Sequence, residues 1–244
     1  MPLDPHVLLL KDLCLTMDEE KLHMRKIPYL TAIGCLMYAT IGMRPDVAFT
    51  VQHLSQFNLN PGPTHWTAVQ CAIRYLYATR HRSLMLGGRD IMLKGWVDSD
   101  WGACTDMRRS TLGYVFSLGM GIISWSSKKQ PMVATSSTEA EYITSCHGTK
   151  EAVWLQSLLN FLGFTQDGVT TIYCDNVGSN ILTRDPLFHA WMKCIDIQHH
   201  YVCERVEAGD IHYTYIPSGA NLANCLTKSL PRPQFVDLTN RMGM

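Results

Sequence analysis

The stretch WVDSDWG, Trp96 to Gly102, decides how this chain is read. Side chains alternate across a strand, so Trp96, Asp98 and Asp100 share one face while Val97 and Ser99 share the other. Two acids on one strand face, bracketed by tryptophans, are costly to bury unless a cation or a hydrogen-bond network compensates. Asp and Ser are also ordinary turn residues, so the stretch taken alone reads first as a solvated strand end. What surrounds it shifts the balance.

Working outward from that stretch, hydrophobic spacing near two marks three strands, Ile91 to Asp98, Thr111 to Leu118 and Gly121 to Ser126, joined by short connections into an antiparallel meander. Before them the spacing is helical. Residues 1–27 carry Pro2, Pro5 and the charged run Asp18 to Lys21 and read as an irregular or partly helical lead-in. From Pro28, Leu30, Ile33, Leu36, Met37 and Ile41 recur at three to four. A second helix is expected from Asp46 to Phe57. After the breaker NPGP (Asn60 to Pro63), Thr64 can cap a third, with Val69, Ala72, Ile73, Leu76 and Tyr77 on its face. The change of period places a domain boundary near 83–90.

After the meander, SSTEAEY (Ser136 to Tyr142) opens a long helix to about Leu162, stopped by Gly163. Both Ser136 with Glu139 and Thr138 with Glu141 fit a capping box, and only one register can be used. If Ser136 caps, Glu139 has the structural task and Glu141 is free for another. The inner face is expected to run through Ile143, Cys146, Val153, Trp154, Leu158 and Phe161. A short strand, TTIYCDN, then ends on Asp175, followed by a short helix, a loop near Asp185-Pro186, a helix from Ile195 to Glu207, a strand from Ile211 to Ile216 and a last helical region from Asn221. The order after the boundary is βββαβα(α)βα, an α/β fold with a mixed sheet.

Composition limits what such a fold can do. Lys plus Arg equals Asp plus Glu at 21 each, so the chain has no overall basic excess, and polyanion binding would need local patches such as Arg108-Arg109 and Lys128-Lys129, or metal ions. Nine cysteines without a CxxC pair fit reduced thiols of an intracellular protein better than a disulfide framework or a zinc site. No apolar run reaches the length of a membrane span, and no signal peptide opens the sequence. His199-His200 with His189 lack partners at zinc spacing and read as a helix face.

Three acids therefore stand at element ends: Asp98, Glu141 and Asp175. Convergent carboxylates are what magnesium needs, because it takes hard oxygen ligands and keeps several waters. Two such ions roughly 4 Å apart serve phosphodiester hydrolysis. For each acid alone, a cap or a surface charge is the simpler reading.

The chain resembles the carboxyl-terminal part of the Pol polyprotein of copia-type LTR retrotransposons. The resemblance is carried by YLTAIGCLMYATIGMRPDVAF (Tyr29 to Phe49), NPGPTHW (Asn60 to Trp66), WVDSDWG, RRSTLGYVF (Arg108 to Phe116), ISWSSKKQPMVATSSTEAEY (Ile123 to Tyr142), YCDN (Tyr173 to Asn176), KCIDIQHHYV (Lys193 to Val202) and YIPSGANLANCLTK (Tyr215 to Lys228). It implies a ribonuclease H-like fold at 88–244, cutting the RNA strand of RNA–DNA hybrids with Mg2+ (Mn2+ as a substitute). It also implies a helical tail of a reverse transcriptase at 1–87, without polymerase activity since no YxDD motif is present. The remainder of a Pol polyprotein is the implied partner, and a cytoplasmic virus-like particle the implied location.

Position by position, the resemblance puts metal-binding acids at Asp98 (with Asp100 as competitor), Glu141 and Asp175. The fourth site position departs from the family, which has Asp in L-A-D-x-x-T-K. Here LANCLTK puts Asn224 there. An amide oxygen can coordinate a cation but brings no charge and leaves an NH2 group facing the site. Weaker binding of one ion and reduced or abolished turnover are expected. Cys194 and Cys203 are further departures. The rival expectation is a folded but catalytically silent remnant that binds hybrid weakly.

Overall fold

The computed structural model describes residues 1–88, 91–102, 104, 106–166, 168–176 and 196–244, with side chains from 200 in the last segment. Its sheet has strands β1 (Leu93–Ser99), β2 (Thr111–Leu118), β3 (Gly121–Lys129), β4 (Thr170–Cys174) and β5 (Ile211–Tyr215) in the order β3-β2-β1-β4-β5. The meander pairs antiparallel, whereas β4 joins β1 in parallel and β5 joins β4 in parallel. This is the expected ribonuclease H-like mixed sheet. The short helix and loop expected near Asp185-Pro186 lie outside the described residues.

Helix α5 (Ser137–Phe161) covers one face of the sheet. The helices before it are α1 (Asp18–Met24), α2 (Tyr29–Gly42), α3 (Ala48–Ser55) and α4 (Pro63–Ala78); those after it are α6 (Asp196–Glu207) and α7 (Arg232–Arg241). The other face of the sheet, through Val115 and Ile122, packs on the 3-10 turn Leu222–Leu226 and on Phe235, Leu238 and Met242 of α7 and its end. A further apolar cluster joins Leu3 and Leu9 to α2, α3 and α4 through Ile33, Leu54 and Val69.

Two glycines set the layer spacing that the site requires. A Cβ on Gly148 of α5 would lie 2.5 Å from Val97 Cγ1, so α5 approaches the centre of β1 only because that position is bare. A Cβ on Gly113 of β2 would lie 2.8 Å from Thr227 Cγ2 and 3.0 Å from Leu226 Cβ. Gly113 pairs with Asp98 in the ladder. The missing side chain lets the Leu222–Leu226 turn settle against the sheet beside that acid.

Several expected faces are displaced. On α5, Ile143 and Cys146 are buried as expected, but Trp154, Leu158 and Phe161 are exposed, and the buried stripe continues through Ser145, Gly148, Thr149, Ala152, Leu155 and Leu159. Small and hydroxyl side chains sit where close packing needs them, so ranking by hydrophobicity selects a stripe about one position off. On α2, Ile33 and Leu36 are buried while Leu30 and Ile41 are exposed, because Tyr29 and Thr40 complete the buried face. On α4, Val69 and Ala72 are buried and Ile73 and Tyr77 are exposed. Nor does Thr64 cap α4: Pro63 takes the first helical position, Gly62 is the N-cap, and its N–H donates to His65 Nδ1 at 2.9 Å.

Candidate metal-binding carboxylate site

Asp98 lies near the end of β1, where alternation turns its side chain away from α5, to which Val97 is committed. It is buried, and its Oδ2 accepts from Thr227 Oγ1 and lies 3.6 Å from Lys228 Nζ. Asp100, its competitor on the same face, is occupied elsewhere. Its Oδ1 accepts from Thr111 N at 2.8 Å and its Oδ2 lies 4.0 Å from Lys129 Nζ, which ties the 100–111 segment together.

Glu141 owes its place to the cap of α5. Ser136 is the N-cap, with Oγ accepting from Glu139 N at 3.1 Å, and Glu139 Oε2 accepts from Thr135 N at 2.6 Å. Glu139 therefore closes the helix end, and Glu141, two residues on, turns inward. Its Oε1 accepts from Ser99 N at 3.2 Å, and its Oε2 has no hydrogen-bond partner among the described residues although the residue is only 6 % exposed. Asp175 follows the last residue of β4, and its Oδ2 accepts from Ser218 Oγ.

Asn224, in the 3-10 turn, links these groups. Its Nδ2 donates to the carbonyl of Ser218, the residue that donates to Asp175, while its carbonyl accepts from Thr227 Oγ1, the donor to Asp98. The NH2 group expected to face the site is thus taken up by Ser218, and it is Oδ1 that is buried without a partner. The sequence reading gives no role to Ser218, Thr227 or Lys228. The signal was in view, since Thr227 and Lys228 follow Asn224 by three and four residues in LANCLTK.

The electrostatics are those of acids held near one another out of water. Burial pushes the Asp98 carboxyl up to about 6; Lys228 and Thr227 hold it down, and Asp175 and Asp100 push it further up. Burial likewise holds Glu141 well above the carboxylate range, with Asp98 and Asp175 adding to the effect. Ligand atoms of Glu141, Asp175 and Cys174 lie within 4.8 Å of one another. Asp98 stands beside this trio, turned toward Lys228. The buried Glu141 Oε2, without a donor among the described residues, and the nearby Asp175 carboxylate are oxygens that fit a hard divalent cation, and Asn224 Oδ1 is a second buried acceptor without a donor among those residues.

A five-stranded mixed sheet in this order, with α5 across one face, is a ribonuclease H-like fold. Homologues of the chain include retrovirus-related Pol polyproteins of transposons. It is 41% identical over 243 residues to the retrovirus-related Pol polyprotein from transposon TNT 1-94 of Nicotiana tabacum, a match covering 100% of this chain and 18% of that protein. It is 38% identical over 217 residues to that from transposon RE2 of Arabidopsis thaliana, covering 88% of this chain and 15% of the relative. The chain thus spans less than a fifth of the length of these relatives. Among solved structures, LC11-RNase H1, isolated from compost, aligns with 56% of this chain and 93% of its own at 16% identity and a TM-score of 0.43. No protein-family model matches. Among the described residues, no helix is long and apolar enough to cross a membrane.

Proposed function

We propose that residues 88–244 are a ribonuclease H-type endonuclease domain of a copia-type Pol polyprotein, hydrolysing the RNA strand of RNA–DNA hybrids, with 1–87 the helical end of the preceding reverse transcriptase. The observation that carries this reading is the convergence of Glu141 and Asp175 beside Asp98, with a buried carboxylate oxygen of Glu141 left without a donor. Asp98, Glu141 and Asp175 would hold the ions, and Asn224 would offer its amide oxygen at the fourth position. Magnesium, when bound, supplies positive charge at the scissile phosphate and a more acidic water. The chain's own residues do the positioning. Ser99 N orients Glu141, Ser218 orients Asp175, and Thr227 orients Asp98. Lys228, at the rim of the site, can trade Asp98 for a substrate phosphate. Choice of hybrid would rest on 2′-hydroxyl contacts to the RNA strand. The setting would be the cytoplasmic particle in which such polyproteins work, with the polymerase region as partner.

Asn224 favours a second reading, a folded remnant that no longer cuts. The test is magnesium-dependent cleavage of a labelled RNA–DNA hybrid by this chain, by Asn224→Asp and by Asp98→Asn as the blank. Cleavage by the chain well above the blank refutes the remnant. Cleavage by Asn224→Asp alone assigns the silence to one residue, and a folded but inactive Asn224→Asp refutes the hydrolase reading of this site.

A further inference from the structure

The thiol of Cys174 stands in the carboxylate site, and nothing in the proposed hydrolysis uses it. Cys174 is the last residue of β4 and is buried, with its Sγ 4.0 Å from the carbonyl of Asn176. Its sulfur and carboxylate oxygens of Glu141 and Asp175 lie within 4.8 Å of one another. Glu141 brings a second, independent observation: a buried Oε2 without a hydrogen-bond partner among the described residues.

One soft sulfur and two hard oxygens are not a magnesium set, because magnesium takes oxygen ligands and water. Zinc and cadmium take thiolate and carboxylate together. We propose that Glu141, Cys174 and Asp175 form a binding site for a thiophilic divalent ion, overlapping the place where magnesium would be held, so that zinc or cadmium displaces magnesium. Ligand atoms around a tetrahedral zinc are roughly 3.5 Å apart, given metal–ligand lengths of about 2.0–2.3 Å. The three side chains therefore need to close by no more than about 1.3 Å, a movement the Glu141 oxygen, partnerless among the described residues, does not oppose with a lost hydrogen bond. As the metal–sulfur bond forms, the thiol proton leaves to solvent.

The proposal rests on the reading of Glu141 and Asp175 as the magnesium pair, but its test does not need cleavage. The full chain, stripped of metal, is titrated with cadmium while the ultraviolet thiolate-to-cadmium charge-transfer band is followed, with and without excess magnesium. The expected result is a step of one equivalent that Cys174→Ser loses and that Glu141→Gln weakens by about tenfold or more. Magnesium should shift the wild-type titration to higher cadmium, and circular dichroism checks that both variants are folded. A band that survives in Cys174→Ser belongs to other cysteines and overturns the proposal. So does a band indifferent to magnesium. A chain that binds cadmium through Cys174 under magnesium competition yet never cuts hybrid refutes the hydrolase and leaves this site standing.

Discussion

Asp98→Asn is expected to stabilise the metal-free protein at neutral pH while removing the activity proposed for it. Asp98 is 1 % exposed, and its carboxyl is pushed from 3.8 to about 6, chiefly by burial. A folded chain that holds a proton more tightly than the unfolded one loses stability as pH rises between those two values, and the cost stays constant above them. The gap corresponds to on the order of 3 kcal/mol at about 1.36 kcal/mol per pH unit. Asp98 also raises Glu141, so removing its charge relieves a second acid. The attraction of Lys228, whose side chain is 42% exposed, is already contained in that shift, since Lys228 holds the carboxyl below where burial alone would put it. The net gain should be about 1–3 kcal/mol near neutrality and close to zero near pH 4. Urea unfolding in chelator, followed by tryptophan fluorescence at several pH values, measures it. Magnesium should narrow the difference by stabilising the wild type through mass action. A variant less stable than wild type at neutral pH would show that Asp98 is not held against its charge. A difference that does not vary between acid and neutral pH would show the same.

Asn224→Asp puts a carboxylate oxygen where the amide now donates to the Ser218 carbonyl. It should cost about 1–2 kcal/mol without magnesium and gain more from magnesium than wild type does. Equal magnesium-induced shifts in Tm would place residue 224 outside the ion site. Ser136→Ala removes the acceptor for Glu139 N and should cost about 1 kcal/mol by denaturant unfolding, whereas Ser136→Gly should cost only a few tenths. Gly148→Val drives a branched side chain into Val97 and should cost about 1–3 kcal/mol or more in the same assay; a neutral result would mean that α5 is free to lift from β1.

The strands were legible because their side chains obey a two-residue period and their ends carry turn chemistry, and the sheet order follows once β4 must return parallel to β1. The capping box at the start of α5 was legible from spacing in two registers, and the structure takes Ser136, which releases Glu141 from capping duty. Helix faces were less legible. On α5 the buried stripe includes Ser145, Gly148 and Thr149, which no hydrophobicity scale selects, beside Ile143, Cys146, Leu155 and Leu159, while Trp154 and Phe161 advertise a face that is exposed. The choice between Asp98 and Asp100 was beyond the sequence, since both occupy the same face of an extended strand. The structure distinguishes them only by their partners: Thr111 N meets Asp100, whereas Thr227 and Lys228 meet Asp98. Thr227 stood in view beside Asn224, but Ser218 carried no signal, because the acid it meets arrives from 43 positions away.

The way the site is held bears on Asn224. Asp98, Glu141 and Asp175 crowd together, and Lys228 is the cation that meets Asp98 at 3.6 Å. A fourth carboxylate at 224 would add like charge to acids that burial already disfavours, with no donor to receive it where Ser218 presents a carbonyl. The amide removes that repulsion and makes a hydrogen bond instead. Folding of the metal-free chain therefore does not oppose Asn224; under the proposed function, the demand for cation binding would. A Pol-derived chain relieved of that demand would settle on this substitution without loss of its fold. The fold and the three remaining acids persisting around an amide is what such relief would leave. Magnesium affinity, rather than stability, is the property in which the wild-type chain and Asn224→Asp should part.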